Sequence, residues 1–443
     1  MHLTHSSRLA AFAGALVVGL VGAGLARGQG AVMPVAGPVN RSMGGAAVGA
    51  PLDPAGAIYW NPATMGDLQN EVLFAAGIIY GDSRLTSTIP AGALGAGVPA
   101  APQTGTDRSD SGVAVLPTFA LLFRPEDSPL TLGFGVFSAG GFYANYPANP
   151  QNPLVAPPPP NGFGVGPIFS SVSFLQIYST AAYALTDQLS IGVGPIVNAV
   201  ALQVTPGLFA APDDANGDGV FTAPPAINTR LHWGLGFLAG VYWKNDRGWQ
   251  LGASYKSPQW FERFSFNSTD ELGFPRQLHM QPELPMIFSV GGAYTGLECW
   301  TFALDYRLLN YRDAALFGDP AAFDATGRLT GLGWRNVHEV ATGVQYRLSA
   351  TTSLRMGYLY NGNPIPDEAT LFNVATANLY QHSITVGMTT QVLGKLKVSV
   401  ALVHSFENAI EGPFHTPSGA IPGGSVRVEQ RSDIFETAIG LNF

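Results

Sequence analysis

The C-terminal segment 434–443 alternates between apolar residues and small or polar residues. Phe435, Ile439, Leu441 and Phe443 fall on one face of a strand, and the intervening residues fall on the other. One lipophilic face, one small or polar face and a terminal aromatic residue are typical of a transmembrane β-barrel. A strand of a soluble β-sandwich shows the same alternation. The interpretation therefore depends on whether the pattern recurs.

The alternation does recur from residue 71 onward and predicts fourteen strands, an even number that suits a bacterial barrel. In one of them, Trp300, Phe302 and Leu304 oppose Asp305 and Arg307. A charge on the lipid face at mid-depth costs about 2–4 kcal/mol, so these charges are expected in the lumen. The predicted strands cover 71–81, 112–123, 130–138, 171–185, 189–204, 230–244, 249–261, 284–294, 300–309, 335–348, 353–361, 382–391, 396–406 and 426–443.

The gaps between the predicted strands alternate in length. Gaps after even-numbered strands are tight turns, such as 186–188 and 245–248, whereas gaps after odd-numbered strands are long, such as 139–170 and 407–425. Outer-membrane barrels have this asymmetry, with short periplasmic turns and long extracellular loops. A soluble β-sandwich has no reason to sort its loops in this way. The sequence therefore predicts an all-β, antiparallel transmembrane barrel over 71–443.

Composition and the N-terminus agree with secretion to a membrane. Charged residues make up 12% of the chain, about half the usual share of a soluble domain. Arg8, an apolar run over 9–25 and small residues around Ala26 predict a cleaved signal peptide over 1–26; a membrane anchor is the alternative. The expected location is the bacterial outer membrane. A net charge of −8 gives no support to nucleic-acid binding.

Residues 27–70 lack the strand pattern. Small residues at 44–47 and 55–57 favour short helices, and Asn61-Pro62 favours a turn or a helix break. Because Ile58, Tyr59 and Trp60 would form an awkward exposed patch, we expect 27–70 to lie inside the barrel as a plug. A flexible periplasmic tail is the alternative.

Several motifs carry a family resemblance. Gly44–Ala47 and Asp53–Ala63 resemble the N-terminal hatch of the FadL/TodX family of outer-membrane transporters for long-chain fatty acids and other hydrophobic compounds. Gly252–Pro258 is similar to a strand motif of that family. Leu354–Tyr358, followed by Pro364–Glu368, is similar to its late-strand signature. The resemblance extends over nearly the whole mature chain.

The resemblance implies a fourteen-stranded barrel closed by a hatch, with Asn61, Pro62 and Ala63 as the hatch motif. It implies passive uptake of a hydrophobic ligand through extracellular loops, a lumenal pocket and a lateral opening near the third strand, with no cofactor. Lateral release has a physical motive, because burial of an acyl chain is worth about 0.8 kcal/mol per CH₂. Gly133 and Gly135 are positions where a kink costs little; they could equally line a lumen crowded by the hatch.

Two groups of residues are candidate ligand contacts. Aromatic residues in the predicted loops favour a lipophilic landing groove, with packing inside the loops as the alternative. Lumenal cations could bind the carboxylate of a fatty acid, although Asp305 and Glu339 share their face and could neutralise them in a network. The candidates are Phe142, Tyr143, Tyr146, Phe163 and Phe209 in the loops and Lys256, Arg307 and Arg355 in the lumen.

One loop resembles the start of a calcium site. Asp214, Asn216 and Asp218 occupy the first, third and fifth positions of an EF-hand loop, with glycine at the sixth. The twelfth position holds Pro225 instead of glutamate. A surface turn without metal is the favoured interpretation, and calcium is the alternative.

Other function classes have weaker support. His382 and Ser383 are adjacent on a predicted strand and point to opposite faces, so the pair does not suit a hydrolase and no enzyme is predicted. A general porin or structural barrel is the more serious alternative, and a surface adhesin is a third. Besides the bilayer and a hydrophobic ligand, the expected partner is the barrel-assembly machinery, through the strand that ends at Phe443.

Overall fold

The computed structural model describes residues 31–95, 97–159, 161–227 and 230–443. The predicted signal peptide, 1–26, lies outside them. Within the described residues, fourteen strand positions form a closed antiparallel barrel, which confirms the predicted fold class. The first strand, Glu71–Ile89, pairs with the last, Gly419–Asn442, and this pairing closes the barrel.

Some barrel positions consist of two consecutive strands. β2 and β3 together form the second position, β8 and β9 the seventh, and β12 and β13 the eighth; β10 and β11 form a separate hairpin. The strands are β1 Glu71–Ile89, β2 Gln103–Arg108, β3 Val113–Phe123, β4 Leu130–Tyr146, β5 Ile168–Ala184, β6 Leu189–Thr205, β7 His232–Lys244, β8 Trp249–Lys256, β9 Gln259–Phe261, β10 Phe264–Thr269, β11 Pro275–Met280, β12 Glu283–Leu284, β13 Met286–Leu297, β14 Trp300–Asn310, β15 Val337–Arg347, β16 Thr352–Asn361, β17 His382–Leu393, β18 Leu396–Thr416 and β19 Gly419–Asn442.

The two faces of the wall follow the sequence alternation. In β19, Phe435, Ile439 and Leu441 are 47%, 55% and 44% exposed on the outer face, while Glu436 and Ala438 are buried on the lumen side. Period-two alternation therefore places apolar side chains toward lipid and small or polar ones toward the interior, as predicted.

The extracellular side differs from the prediction. The segment 407–425, predicted as a long loop, belongs mostly to β18 and β19, which are joined by a turn at 417–418. Likewise, β1 continues to Ile89 and pairs with β2 inside the predicted loop 82–111. These extensions rise beyond the apolar band, where the outer face is polar. The apolar residues there, such as Leu85, Ile89 and Ile410, are buried on the inner side, so the lipid-facing alternation that identified the strands no longer applies.

The N-terminal residues fill the lumen. Helix α1 (Gly37–Ser42) contacts β16–β19, helix α2 (Pro54–Trp60) contacts β3 and β4, and a 3₁₀ helix (Pro62–Asp67) contacts β5–β7. Short 3₁₀ helices also lie at Tyr311–Asp313, Asp367–Ala369 and Leu371–Asn373. In the described ranges, no helix is both long and apolar enough to span a membrane.

Candidate transport path

The hatch motif is fixed to the barrel wall through Asn61. Its Nδ2 donates to the carbonyls of Val48 (2.8 Å) and Val241 (3.0 Å), and its Oδ1 accepts from the amide of Ala63 (3.2 Å). Pro62 begins the 3₁₀ helix, where its missing N–H costs nothing. These bonds join two parts of the hatch to β7. We therefore assign the motif a positioning role in the plug.

Glycines in the wall let the hatch approach closely. A Cβ at Gly240 would lie 2.0 Å from Asn61 Oδ1, and one at Gly252 would lie 2.0 Å from the Val48 carbonyl. Gly133 plays a similar part, because its Cβ would lie 2.5 Å from the sulfur of Met65 in the 3₁₀ helix. These distances explain why the lumen face is small at these positions.

A buried ion network on β14, three barrel positions from β7, also holds the hatch. Asp305 Oδ2 accepts from the amides of Ala47 (2.7 Å) and Val48 (2.9 Å) and from Arg307 Nη2 (2.9 Å). Arg307 also binds Glu339 and donates to the Gly45 carbonyl. The network predicted from the shared lumen face therefore exists. Because the Arg307 guanidinium already binds these hatch and wall groups, we do not retain Arg307 as a ligand contact.

Lys256 lies in different surroundings from Arg307. Its side chain is buried, and its Nζ lies 3.9 Å from the ring centre of Tyr59 and 5.4 Å from that of Tyr178. In the described part of the chain, Nζ has no hydrogen-bond partner. Cation–π geometry thus surrounds the buried Lys256 amine, which has no acidic partner within salt-bridge distance among the described residues. Arg355, by comparison, donates to Gln345 and Thr389.

The rings around Lys256 form a layer across the lumen. Tyr59, Phe137 and Tyr178 pack with ring centres 5.3 to 5.7 Å apart, and we name these three residues the aromatic floor. Phe137 belongs to β4, so the floor reaches the wall of the barrel at the third strand position.

The wall opens immediately above that point. β3 pairs with β1 along 113–122, but with β4 only over 118–123. Among the residues that the structure describes, 113–117 therefore have a partner strand only on the β1 side. Pro117 has no N–H to donate, and it lies where the β3–β4 ladder stops. The strand prediction overlooked this proline, which was the available sequence signal.

A bulge in β4 accounts for the other side of the opening. The β4–β5 register shifts between Ser138 and Gly140, which leaves Ala139 as an extra residue. The ladders are regular at Gly133 and Gly135, so the irregularity expected near those glycines lies several residues later. The strands meet again above, where the Asp110 amide donates to the Asn145 carbonyl (2.8 Å). We name the interval between 113–117 and 138–144 the β3–β4 gap.

The gap lies at the depth of the lipid-facing band. Val113 is paired with Tyr80 and Val115 with Ile78, and all four side chains are exposed on the outer face. On the lumen side, an aliphatic patch of Leu116, Val403 and Ile434 lies nearby. Both mouths of the gap are therefore apolar.

The start of the hatch covers the gap from inside. The Met33 amide donates to the Ala139 carbonyl (2.7 Å), and Val32 forms an antiparallel bridge with Gly140. Met33 also packs against the aliphatic patch on the β3 side. A Cβ at Gly140 would lie 2.1 Å from the Ala31 carbonyl, so this close approach requires glycine.

The hatch also contains an acid in an unusual setting. Asp53 caps helix α2, with Oδ1 accepting from the Gly56 amide (3.1 Å), while Oδ2 has no partner within the described ranges. Burial raises the pKa of Asp53 to about 7. Its protonation therefore changes near neutral pH.

The aromatic residues predicted in the loops do not form one groove. Phe142, Tyr143 and Tyr146 belong to β4, which continues to Tyr146, so the loop assignment was wrong. Tyr143 faces outward at 43% exposure, whereas Tyr146 is buried and hydrogen-bonds Ser83 (2.6 Å). Strand alternation separates them. Phe142 and Phe163 pack, half-buried, against the core.

Phe209 remains an extracellular candidate. It lines a cleft of about 350 Å³ together with Leu278, Arg276 and Arg328. The cleft lies between three extracellular loop regions, so a ligand arriving from outside could reach it. We retain Phe209 as a proposed early contact.

The candidate calcium residues form a hydrogen-bonded turn. Asp214 Oδ2 accepts from the Gly219 amide (3.2 Å), and Asn216 Oδ1 accepts from the Asp218 amide (2.8 Å). Among the described residues, no group of three or more His, Cys, Asp or Glu side chains is placed to hold a metal ion. Calcium binding at this loop stays a prediction to be tested.

Comparison with solved structures supports the same fold. The toluene transporter TodX of Pseudomonas putida superposes with a TM-score of 0.66 at 16% identity, covering 93% of this chain and 99% of that one. A FadL homologue of Pseudomonas aeruginosa gives 0.67 at 16% identity (94% and 100%). The toluene transporter TbuX of Ralstonia pickettii gives 0.63 at 17% identity (92% and 98%).

Family membership rests on the sequence itself. No significant match was found among curated protein sequences. The model of the outer membrane protein transport family (OMPP1/FadL/TodX) matches residues 25–434, and its members are transport channels of the outer membrane, not enzymes. The chain therefore belongs to the FadL/TodX family of outer-membrane transporters for hydrophobic compounds.

Proposed function

We propose that this protein takes up long-chain fatty acids or similar hydrophobic molecules by passive diffusion and releases them sideways into the outer membrane through the β3–β4 gap. The observation that carries the proposal is the position of the gap, at the depth of Ile78 and Tyr80 with apolar residues at both mouths. A hydrophobic molecule that leaves there remains out of water throughout.

The axial route is unfavourable for such a cargo. The hatch fills the lumen and is bonded to the wall at β7 through Asn61 and at β14 through Asp305. A fatty acid released into the periplasm would also lose about 0.8 kcal/mol of burial per CH₂. Lateral exit requires only that residues 31–33 move away from Ala139 and Gly140.

Lys256 supports an acidic ligand over a neutral one. It is the predicted lumenal cation that has neither a carboxylate nor a hydrogen-bond partner in the described residues, and it lies against the aromatic floor beside Phe137. A fatty-acid carboxylate would supply the missing partner, and the floor would contact its chain. Aromatic hydrocarbons are the competing cargo, and TodX and TbuX are described as toluene transporters.

Calorimetry on the detergent-purified protein tests this proposal with fatty acids of increasing length and with toluene. Micromolar binding that strengthens about fourfold per added methylene supports a fatty-acid transporter. Binding of toluene without binding of fatty acids would assign the neutral class. A lack of binding by either, together with a porin-like ion conductance, would refute the proposal.

A further inference from the structure

A cluster of arginines lies on the outer wall immediately above the lipid-facing band. On the outer face of β1, Phe74, Ile78 and Tyr80 are 61%, 48% and 42% exposed, and the same face continues with Asp82 and Arg84. β1 runs toward the extracellular loops. The first charged position is therefore two residues, about 7 Å, above Tyr80 on the extracellular side.

Three guanidinium groups converge on one carboxylate at this level. Asp82 is 4% exposed; its Oδ1 accepts from Arg108 Nε (2.7 Å), and its Oδ2 lies 3.0 Å from Arg431 Nη2. Arg84 Nη2 lies 3.9 Å from the same Oδ2. We name Arg84, Arg108 and Arg431 the arginine cluster. With Asp82 it holds three positive charges and one negative charge, an excess of two.

The neighbouring acids are committed to other partners. Glu429, which faces Arg84 in the β1–β19 register, accepts from Arg427 (2.8 Å). Glu411 lies 3.5 Å from the same Arg427, and Asp433 pairs with His404 (2.7 Å). Glu429 and Glu411 thus share Arg427 as their partner, and Asp433 has His404. Among the described residues, none of these three acids bonds to the arginine cluster.

Arg84 is the least satisfied member of the cluster. It stands directly opposite Arg108 in the β1–β2 pairing, and directly opposed like charges are destabilising. Within the described residues, its guanidinium makes no hydrogen bond, and its side chain is 45% exposed. The side chains of Arg108 and Arg431 are 56% and 47% exposed. An external anion would relieve the opposition and use the free donors.

We propose that the arginine cluster binds the phosphate group of an outer-leaflet glycolipid whose acyl chains lie along the apolar band below. Arginine pairs with phosphate through parallel N–H···O bonds, and basic clusters beside the apolar band recognise anionic headgroups. The position of the cluster favours a lipid over a soluble anion. The phosphate of a lipid lies just above its acyl chains, and the cluster lies about two residues above the apolar band. The cluster, with Tyr80 at its base, thereby fixes the barrel to the outer leaflet.

Native mass spectrometry of the full-length protein tests this site with bisphosphorylated lipid A and its dephosphorylated counterpart as probes. Arg84→Gln/Arg108→Gln should reduce retained lipid A at least fivefold. Arg427→Gln is the matched control, since Arg427 is a similarly exposed arginine of the same outer wall that Glu429 and Glu411 already neutralise. It should change retention less than twofold. Dephosphorylated lipid should bind weakly to every form.

Three results would overturn the proposal: equal lipid A retention by the double variant and the wild type, equal binding of dephosphorylated lipid, or displacement of lipid A by micromolar inorganic phosphate, which would indicate a site for soluble anions. Heat-modifiable migration on gels monitors folding of each variant. Should the double variant misfold, Arg84→Gln alone removes a side chain without hydrogen bonds in the described structure and should still lower retention about threefold. Unchanged retention in that variant also refutes the site.

Discussion

Removal of the Asp305 carboxylate should release the hatch from the wall. Asp305 is fully buried and accepts bonds from the amides of Ala47 and Val48 and from Arg307. Asp305→Ala leaves two backbone donors without partners, at about 1–3 kcal/mol each. It also leaves Arg307 with one carboxylate instead of two, and breaking a buried ion pair costs about 3–5 kcal/mol. Partial relaxation reduces this sum to on the order of 5 kcal/mol.

That loss corresponds to a several-thousand-fold rise in the population of undocked hatch. Single-channel recording in planar bilayers should then show openings that the wild type lacks, and protease should cleave the chain near residue 47. Asp305→Asn, which keeps an acceptor oxygen, should give an intermediate effect. Asp433→Ala removes an outward-facing carboxylate and is the matched control. Wild-type conductance and protease resistance in Asp305→Ala would refute the anchoring role.

Three further predictions concern the hatch, the floor and the loop at 214–219. Burial holds the pKa of Asp53 near 7, so the wild-type protein should lose stability as the pH rises from about 4 to 7. In thermal unfolding, Asp53→Asn should raise the free energy of unfolding by roughly 3–5 kcal/mol at pH 8 and by little at pH 4, because the amide carries no buried charge. Equal gains at both pH values would contradict this prediction. Lys256→Met should weaken fatty-acid binding at least tenfold by calorimetry and leave toluene binding unchanged; parallel losses would exclude a carboxylate-specific role. Chelation of calcium should leave the unfolding temperature and uptake nearly unchanged, whereas a large drop would establish a metal site at Asp214, Asn216 and Asp218.

The alternating pattern of apolar and polar residues predicted most of the fold, because burial along the strands of this barrel repeats every two residues. The terminal strand shows this, with Phe435 and Ile439 outward and Glu436 inward. The lumenal position of Asp305 and Arg307 followed from the same alternation and the cost of a charge in lipid.

The sequence alone could not locate the β3–β4 gap, because the gap depends on how far two neighbouring strands pair. Pro117 indicated an edge within an apolar strand, but no feature of the local sequence showed which of the two neighbouring strands would be unpaired there. The extra residue Ala139 becomes visible only when β4 is aligned with β5. The upper halves of β18 and β19 were missed for a related reason, since their outer faces are polar above the membrane.

The extra residue in β4 provides the most direct test of lateral release. Deletion of Ala139 would restore continuous β4–β5 pairing and keep residues 140–146 on their present faces, because the bulge adds one residue to the strand. It also removes the carbonyl that holds Met33. Ala139→Gly keeps the bulge and serves as the control.

The measurement is uptake of a long-chain fatty acid, or of toluene if calorimetry selects the neutral class, into cells that express each form, with ligand binding to the purified proteins measured in parallel. The account predicts that uptake by the Ala139 deletion falls at least tenfold while binding changes less than twofold, and that Ala139→Gly transports normally. Normal uptake by a correctly folded deletion variant would contradict release through the β3–β4 gap.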